Sequence, residues 1–346
     1  MGHSSSHREN RIGASRRSLP RRPLHGLARV AWALALSLGP IGSMAQDLTI
    51  AVSRSSLSLP LYVAENQKFF ADEGLSVQTR ECIDGRRCIK LMFDGQVQLA
   101  TASELPVMFN SFTRSDYAIV ATFATSAQDV KLVVRKSAGI ETAAQLAGKR
   151  IGIVKGTSAH YFLDTFLLFS GMDPKKVELV PLPPEQIEQA LKDRKIDAAA
   201  IWEPVAHKSL RALAEDGMVL PSGRLYTETF NLIAGRKVIA DREADIVKLL
   251  RAVDRAQRWI RDRPTEAQAI LKERLQEDRG FIDATWKDFT YRLSLNQSLV
   301  STIEGEARWA LREGYVPPER KTPNYLQFID AGPLRKAAPA AVILFK

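Results

Sequence analysis

The sequence predicts an α/β protein of two lobes, each with its own core and an open, mainly parallel sheet. Three observations carry that expectation. Short apolar runs of strand type alternate with amphipathic helical stretches, the pattern of repeated βα units. The chain has 346 residues, 45% hydrophobic and 25% charged, enough apolar material for two cores and too much for a disordered chain. Finally, the loops at 53–58, 101–104, 125–126, 156–158 and 202–203 each follow a predicted strand, and all carry hydroxyl or carboxylate groups. Ligands of open α/β sheets bind at the carboxyl ends of strands, so five such loops imply one shared cleft.

Taken in order, a first strand at 48–52 leads through a serine-rich loop, with Ser55 and Ser56, to a helix opened near Pro60 and stopped at Gly74. Residues 75–79 alternate apolar and polar like a strand, and 88–93 form a short helix ended by Gly95. Val97 and Leu99 alternate into Thr101, Ser103 and Glu104, with a helix at 107–112 and strands at 119–123 and 131–134 completing this half. A short helix at 142–146 precedes the stretch around which the second half is organised. There Ile151, Ile153 and Val154 form a strand, Gly156 permits a bend closed to other residues, and Thr157 or Ser158 can N-cap the next helix. That helix sets Phe162, Phe166 and Phe169 at i, i+4 and i+7, which predicts one apolar face against a sheet. Its first N–H groups lie at the positive end of the helix dipole, so the turn is either an anion seat or a plain capped βα turn. A strand at 177–181, a helix at 185–194 and a buried strand at 196–201 follow, ending at Trp202-Glu203-Pro204. Beyond a helix at 205–214 and strands at 218–220 and 229–234, the pattern becomes helical: 241–261, 264–275, 283–296 and 299–313.

The formal charge of +10 would suggest a polyanion partner, but most of it is local. Residues 1–45 hold seven arginines and one acid, leaving 42 basic and 38 acidic residues beyond them, a net +4 that argues for no nucleic acid. That leader has a basic start, an apolar stretch at 30–38 and small residues Ser43 and Ala45, the order of an export signal cleaved after Ala45. Arg16-Arg17 leaves the general and twin-arginine export routes both open. Cys82 and Cys88 are the only cysteines, and export suits a disulfide between them across Asp84-Gly85. A reduced pair for redox or metal chemistry is the alternative, though no CxxC spacing supports it.

The region after the leader has two histidines, His160 and His207, so no metal site and no cofactor is expected. The nucleophile-elbow, zincin, Walker and dinucleotide patterns are absent, which favours binding without chemistry. Several runs then carry a resemblance: 61–70 with 73–75, 145–152, 155–160 and 196–204, in that order and spacing across most of 47–235. On them the chain resembles the periplasmic substrate-binding proteins of ABC importers, in the nitrate/sulfonate/taurine-binding group related to thiamine-pyrimidine-precursor binders.

The resemblance implies a type II periplasmic-binding-protein fold that closes by a hinge around a ligand in the inter-lobe cleft. Lobe one would comprise 47–132 plus 234–346 and lobe two 133–233, with crossings near 130–136 and 227–235. A monomer is expected, capturing a small anionic or zwitterionic compound of sulfonate or taurine type. It would deliver that compound to a permease and its ATPase at the inner membrane; a precursor-binding protein or an enzyme on the same fold is the alternative. The resemblance implies Thr101, Ser103, Thr157 and Ser158 as ligand contacts, and the strand-end loops add Ser55, Ser56, Glu104, Thr125, Gly156, Trp202 and Glu203. Glu104 and Glu203 would meet an amine while the anion lies on the 156–158 turn, unless either carboxylate turns away to cap a helix. One departure stands out: Gln98 occupies the place where the family usually has an acid, which leaves the setting of the 101–104 loop open.

Overall fold

The computed structural model describes residues 47–344; the expected export signal lies outside the described residues. Strand β1 (Leu48–Ser53) leads to helices α1 (Leu59–Asn66) and α2 (Phe69–Asp72), then β2 (Val77–Cys82), α3 (Gly85–Phe93), β3 (Leu99–Ser103), α4 (Glu104–Ser111) and β4 (Tyr117–Ser126). The chain crosses to a second sheet with β5 (Val130–Arg135), β6 (Arg150–Ile153), α5 (Ser158–Phe169), β7 (Glu178–Pro181), α6 (Pro184–Lys192), β8 (Ala198–Trp202), α7 (Val205–Leu213) and β9 (Gly217–Leu220). It returns as β10 (Glu228–Gly235) and finishes with α8 (Arg236–Asp241), α9 (Glu243–Asp262), α10 (Pro264–Leu275), α11 (Arg279–Thr285), β11 (Phe289–Thr290), β12 (Leu295–Asn296), α12 (Gln297–Arg312), α13 (Gly332–Ala337) and β13 (Val342–Ile343).

Two sheets result, ordered β11-β4-β10-β3-β1-β2 and β7-β6-β8-β5-β9, with a minor β12-β13 pair. Each has its own apolar core, one around Leu48, Ile50, Leu99 and Phe123, the other around Leu132, Ile151, Leu163 and Ile201. Neither sheet is purely parallel. Strand β10 runs antiparallel to β3 and β4, and β5 runs antiparallel to β8 and β9. The reason is direction: β1, β3, β6 and β8 run toward the cleft, whereas a strand that has just crossed begins there and runs away. The chain passes between sheets at 127–129 and 221–227, earlier than the sequence suggested, because β5 and β10 are each complete members of the sheet they enter. The helix expected at 283–296 is also replaced: α11 ends at Thr285, and Phe289–Thr290 pair with the edge of β4 instead.

Local packing explains several other features. In α5 the buried face is Ala159, Phe162, Leu163, Phe166 and Leu167, the i, i+3, i+4, i+7, i+8 set, so Phe169 falls off the stripe and is 73% exposed. Gln98 Oε1 accepts from the Thr49 amide at 2.7 Å and its hydroxyl at 3.0 Å, tying the start of β3 to β1. Asp197 does the same in the other sheet, accepting from the Arg150 amide at 3.0 Å, so a neutral amide fills the acid's role in the first lobe. Cys82 and Cys88 form a disulfide, Cα atoms 5.6 Å apart, joining the end of β2 to the first turn of α3.

Asp84 N-caps α3 by accepting from the Arg87 amide at 2.9 Å, and Gly85 lets the helix start press on β3. A Cβ at Gly85 would lie 2.7 Å from the Ala102 Cβ and 2.8 Å from its Cα, so something must shift. Gly85→Ala is therefore expected to destabilise the protein by roughly 1–3 kcal/mol, as overpacking does, measured by urea unfolding. An unchanged midpoint would show that α3 slides freely over β3.

Candidate ligand-binding cleft

Between the sheets lies a narrow cleft whose enclosed space is about 30 Å³. The first lobe supplies Ser53, Ser55, Leu57, Asp84, Gly85, Arg86, Ser103, Pro106 and Phe230; the second supplies Thr157, Ser158 and Trp202. Asp129 and Glu228, at the two crossings, complete the wall. Three helix starts converge here, since Asp84, Ser103 and Thr157 are the N-cap residues of α3, α4 and α5. At α4 and α5 no side chain caps the first amides. Helix N-termini carry partial positive charge and unpaired N–H donors, so this side of the cleft suits an anion.

The hydroxyls differ in what they have free. Ser55 Oγ accepts from the Leu57 amide at 3.1 Å, which leaves its proton to donate. Thr157 Oγ1 instead donates to the Val154 carbonyl at 2.7 Å, so its contribution at the helix start is lone pairs and backbone. Arg86, the guanidinium on the wall, donates to the Lys155 carbonyl at 2.7 Å across the cleft. Leu57, Pro106, Trp202 and Phe230 form apolar walls, and Trp202 also lines an outer groove with Ile83, Pro184 and Val205.

Of the residues selected from the sequence, Ser55, Ser103, Thr157, Ser158 and Trp202 lie on this wall, and Gly156 is the bend before it, with φ +76°. The others are placed elsewhere. Thr101 is fully buried, its Oγ1 accepting from the Ser53 amide at 2.8 Å. Ser56 is buried, next to Ser55 in the chain but off the cleft wall, and Thr125 is held in β4 opposite Thr229 and Thr290. Glu104 is fully buried behind the wall and accepts from Tyr226 Oη, from the Thr229 amide at 2.9 Å and from Thr229 Oγ1 at 2.7 Å. Glu203 ion-pairs with Lys131 at 2.7 Å and accepts from the His207 amide at 2.9 Å, at the start of α7. Both carboxylates thus turn to donors of the fold rather than to the cleft.

Asp129 and Glu228 were not selected, because strand-end reasoning looks to the carboxyl ends of parallel strands and these acids stand at the beginnings of antiparallel ones. A readable signal did exist: each acid directly precedes or opens an apolar strand at a crossing. Burial raises both above the ordinary carboxylate range. Asp129 is pushed up to about 7, by burial first and then by Glu203; Glu228 is raised well above its usual value by burial and then by Asp129 and Glu104.

Beside the cleft, α5 packs on α12 through a polar and aromatic cluster. Trp309 Nε1 donates to Asp164 Oδ2 at 2.9 Å, and His160 Nε2 lies 3.0 Å from Tyr315 Oη. His160 is the packing histidine of this joint, edge-on to Trp309 with centroids 5.1 Å apart.

Two α/β lobes, each crossed by one antiparallel strand and enclosing a polar cleft, define the fold of the periplasmic binding proteins. The family model described as "NMT1/THI5 like" matches residues 56–267, and the chain belongs to that family. Among similar proteins is the taurine-binding periplasmic protein of Escherichia coli (strain K12), 28% identical over 234 residues, 66% of this chain and 71% of that one. A putative aliphatic sulfonates-binding protein of Bacillus subtilis (strain 168) is 24% identical over 242 residues, 68% and 72% of the two chains. Among solved structures, the periplasmic aliphatic sulphonate binding protein SsuA from Escherichia coli superposes with a TM-score of 0.70 at 20% identity, covering 82% of this chain and 97% of that one. The desulfurization enzyme DSZB shares the fold as well, with a TM-score of 0.60 at 15% identity over 85% and 99% of the chains. These structural likenesses define the fold.

The α5–α12 joint yields a pH prediction. Burial, and then Lys155, lowers His160 to about 4, whereas burial raises Asp164 to about 6. A histidine lowered on folding gives stability that is present above its unfolded value near 6.5 and lost as pH falls toward 4. A carboxyl raised on folding gives stability present at low pH and lost as pH rises through 6, so the two oppose each other. His160→Gln should therefore remove the acid-sensitive part. Relative to the parent, the variant should gain on the order of 2 kcal/mol between pH 6.5 and 4.5 in urea titrations. Parallel pH curves for the two proteins would mean His160 takes up its proton normally in the fold.

Proposed function

We propose that this chain is the exported solute-binding component of an ABC importer, which captures a small organic anion or zwitterion of sulfonate type between its lobes and hands it to a membrane permease and its ATPase. The observation that carries this reading is the convergence of three helix N-termini, two of them uncapped by side chains, on one cleft. The uncapped starts of α4 and α5 favour a negative head group. The taurine- and sulfonate-binding names of its relatives agree with that chemistry. Among the described residues no helix is long and apolar enough to cross a membrane, which fits a partner that supplies the membrane passage.

The wall's hydroxyls, carboxylates, guanidinium and apolar faces are groups that hold and orient an ion, which supports binding over the enzyme alternative. Calorimetry of the processed protein with taurine, C2–C4 alkanesulfonates, nitrate and sulfate tests the reading. Ser103→Ala combined with Ser158→Ala should weaken the best sulfonate by about 10- to 100-fold, since hydrogen bonds to charged groups contribute roughly 1.5–3 kcal/mol. A thermal melt checks the fold, because Ser103 does not cap α4 whereas the Ser158 hydroxyl hydrogen-bonds the buried Glu228. Sulfonate binding that is absent, or untouched by both substitutions, would sink the assignment.

A further inference from the structure

We propose that Asp129 and Glu228 form the cation-binding half of the cleft, the seat for the protonated amine of a zwitterionic ligand. This rests on the reading above and names the substrate class within it. Both acids line the cleft while only 2% and 4% exposed, and Asp129 Oδ1 and Glu228 Oε2 are fully buried without a hydrogen-bond partner. Buried carboxylate oxygens without donors are costly, and each of the other acids considered for this role has its donors: Glu104 has Tyr226 and Thr229, and Glu203 has Lys131 and the His207 amide. A ligand that brings N–H donors and positive charge would satisfy both free oxygens.

The surrounding charges point the same way. Toward Asp129 face Lys131, Glu203 and Asp288, and that single ammonium is already shared between Glu203 at 2.7 Å and Asp288 at 3.2 Å. Toward Glu228 face Asp129, Glu104 and Ser158, with Tyr226 and Glu306 in the same buried group. The described charges around the pair are therefore mostly negative, while elsewhere on the wall the starts of α4 and α5 supply positive potential and Arg86 lies 3.9 Å from the Asp84 carboxylate that caps α3. A short zwitterion fits such a dipolar cleft with each end on its complement; a bare anion meets only half of it.

A proton balance follows. Burial raises both acids; Asp129 raises Glu228 further, while the Glu228 carboxyl lowers Asp129 by a hydrogen bond, so the empty pair holds a proton near neutral pH; an ammonium stabilises the ionised pair, and the displaced proton leaves to buffer. Amine binding should thus weaken as pH falls below 7, when protons compete for the same oxygens.

Two ligand pairs, each exchanging an ammonium for a methyl of similar size, test this with the processed protein by calorimetry: taurine against 1-propanesulfonate, and β-alanine against butyrate. The expected result is at least tenfold tighter binding of the amine member of a pair at pH 7.5. Proton release, read from buffers of different ionisation heat, should accompany the amine member alone. Asp129→Asn and Glu228→Gln should each erase most of that preference and the proton release; a thermal melt confirms folding. If the carboxylate pair shows the preference and neither sulfonate binds, the sulfonate reading fails and the amine seat stands. If no ligand of either pair binds, if amine and methyl members bind alike, or if the preference survives both substitutions, the amine seat is overturned.

Discussion

The cleft depends on a constraint of chain direction. Strands of a βα unit deliver their carboxyl ends and the following helix starts to the same edge, which is why Ser53, Ser103 and Thr157 all arrive there. A strand entering from the other lobe must start at that edge and run away from it. The double crossing therefore places two strand beginnings, Asp129-Val130 and Glu228, among strand ends and helix starts. Helix starts carry positive potential with them, whereas strand beginnings carry whatever side chain the sequence puts there. Here it puts carboxylates, and the cleft becomes dipolar by construction.

The magnitudes show why that polarity bears on function rather than on stability. Two like charges at about 4 Å repel by roughly 4 kcal/mol at an effective dielectric near 20, more than the roughly 1 kcal/mol net of an ordinary hydrogen bond. No described donor offsets this at Asp129 Oδ1 and Glu228 Oε2, so the fold limits the repulsion by holding protons, as the upward displacement of both acids expresses. Glu104 and Glu203 are buried just as deeply, yet their oxygens have donors, Tyr226 and Thr229 for the first and the Lys131 ammonium for the second. Depth alone does not separate a structural acid from a binding acid; the direction in which its free oxygens point does.

Much of the architecture was legible because it is periodic. The βα alternation, the strand at 151–154 with its glycine bend, and the hydroxyl loops can be read from spacing alone, and five of the selected residues stand on the cleft wall. What was not legible is tertiary. Phe169 continues a simple i+7 count, but the sheet under α5 covers only the stripe through Leu163 and Leu167. Residues 289–290 read as helix because nothing local announces that the open edge of β4 will recruit them. Glu104 and Glu203 were set toward a ligand because their loops end at the cleft. Their partners Tyr226, Thr229 and Lys131 lie 122, 125 and 72 positions away in sequence, beyond any local pattern.

The same distinction between local and distant partners bears on how the lobes hold together. Ion pairs join them at the surface, Arg87 with Glu185 at 2.9 Å and Lys208 with Glu277 at 2.8 Å, but at least one partner of each is well exposed. Such pairs contribute roughly 0–1 kcal/mol, too little to fix one arrangement. The buried Trp309–Asp164 hydrogen bond has no such screening and, with the part-buried His160–Tyr315 contact, holds α5 to α12 and the segment after it along one side of the cleft. At the cleft itself, Arg86 donates to the Lys155 carbonyl across the gap, beside paired acids that disfavour close approach while empty. A ligand with an anionic and a cationic end would change the sign of that last term. Its anion would draw in the α5 start from the second lobe, and its amine would remove the repulsion at the two crossings. Closure and charge recognition would then be one event, because Asp129 and Glu228 sit where the chain passes between the lobes.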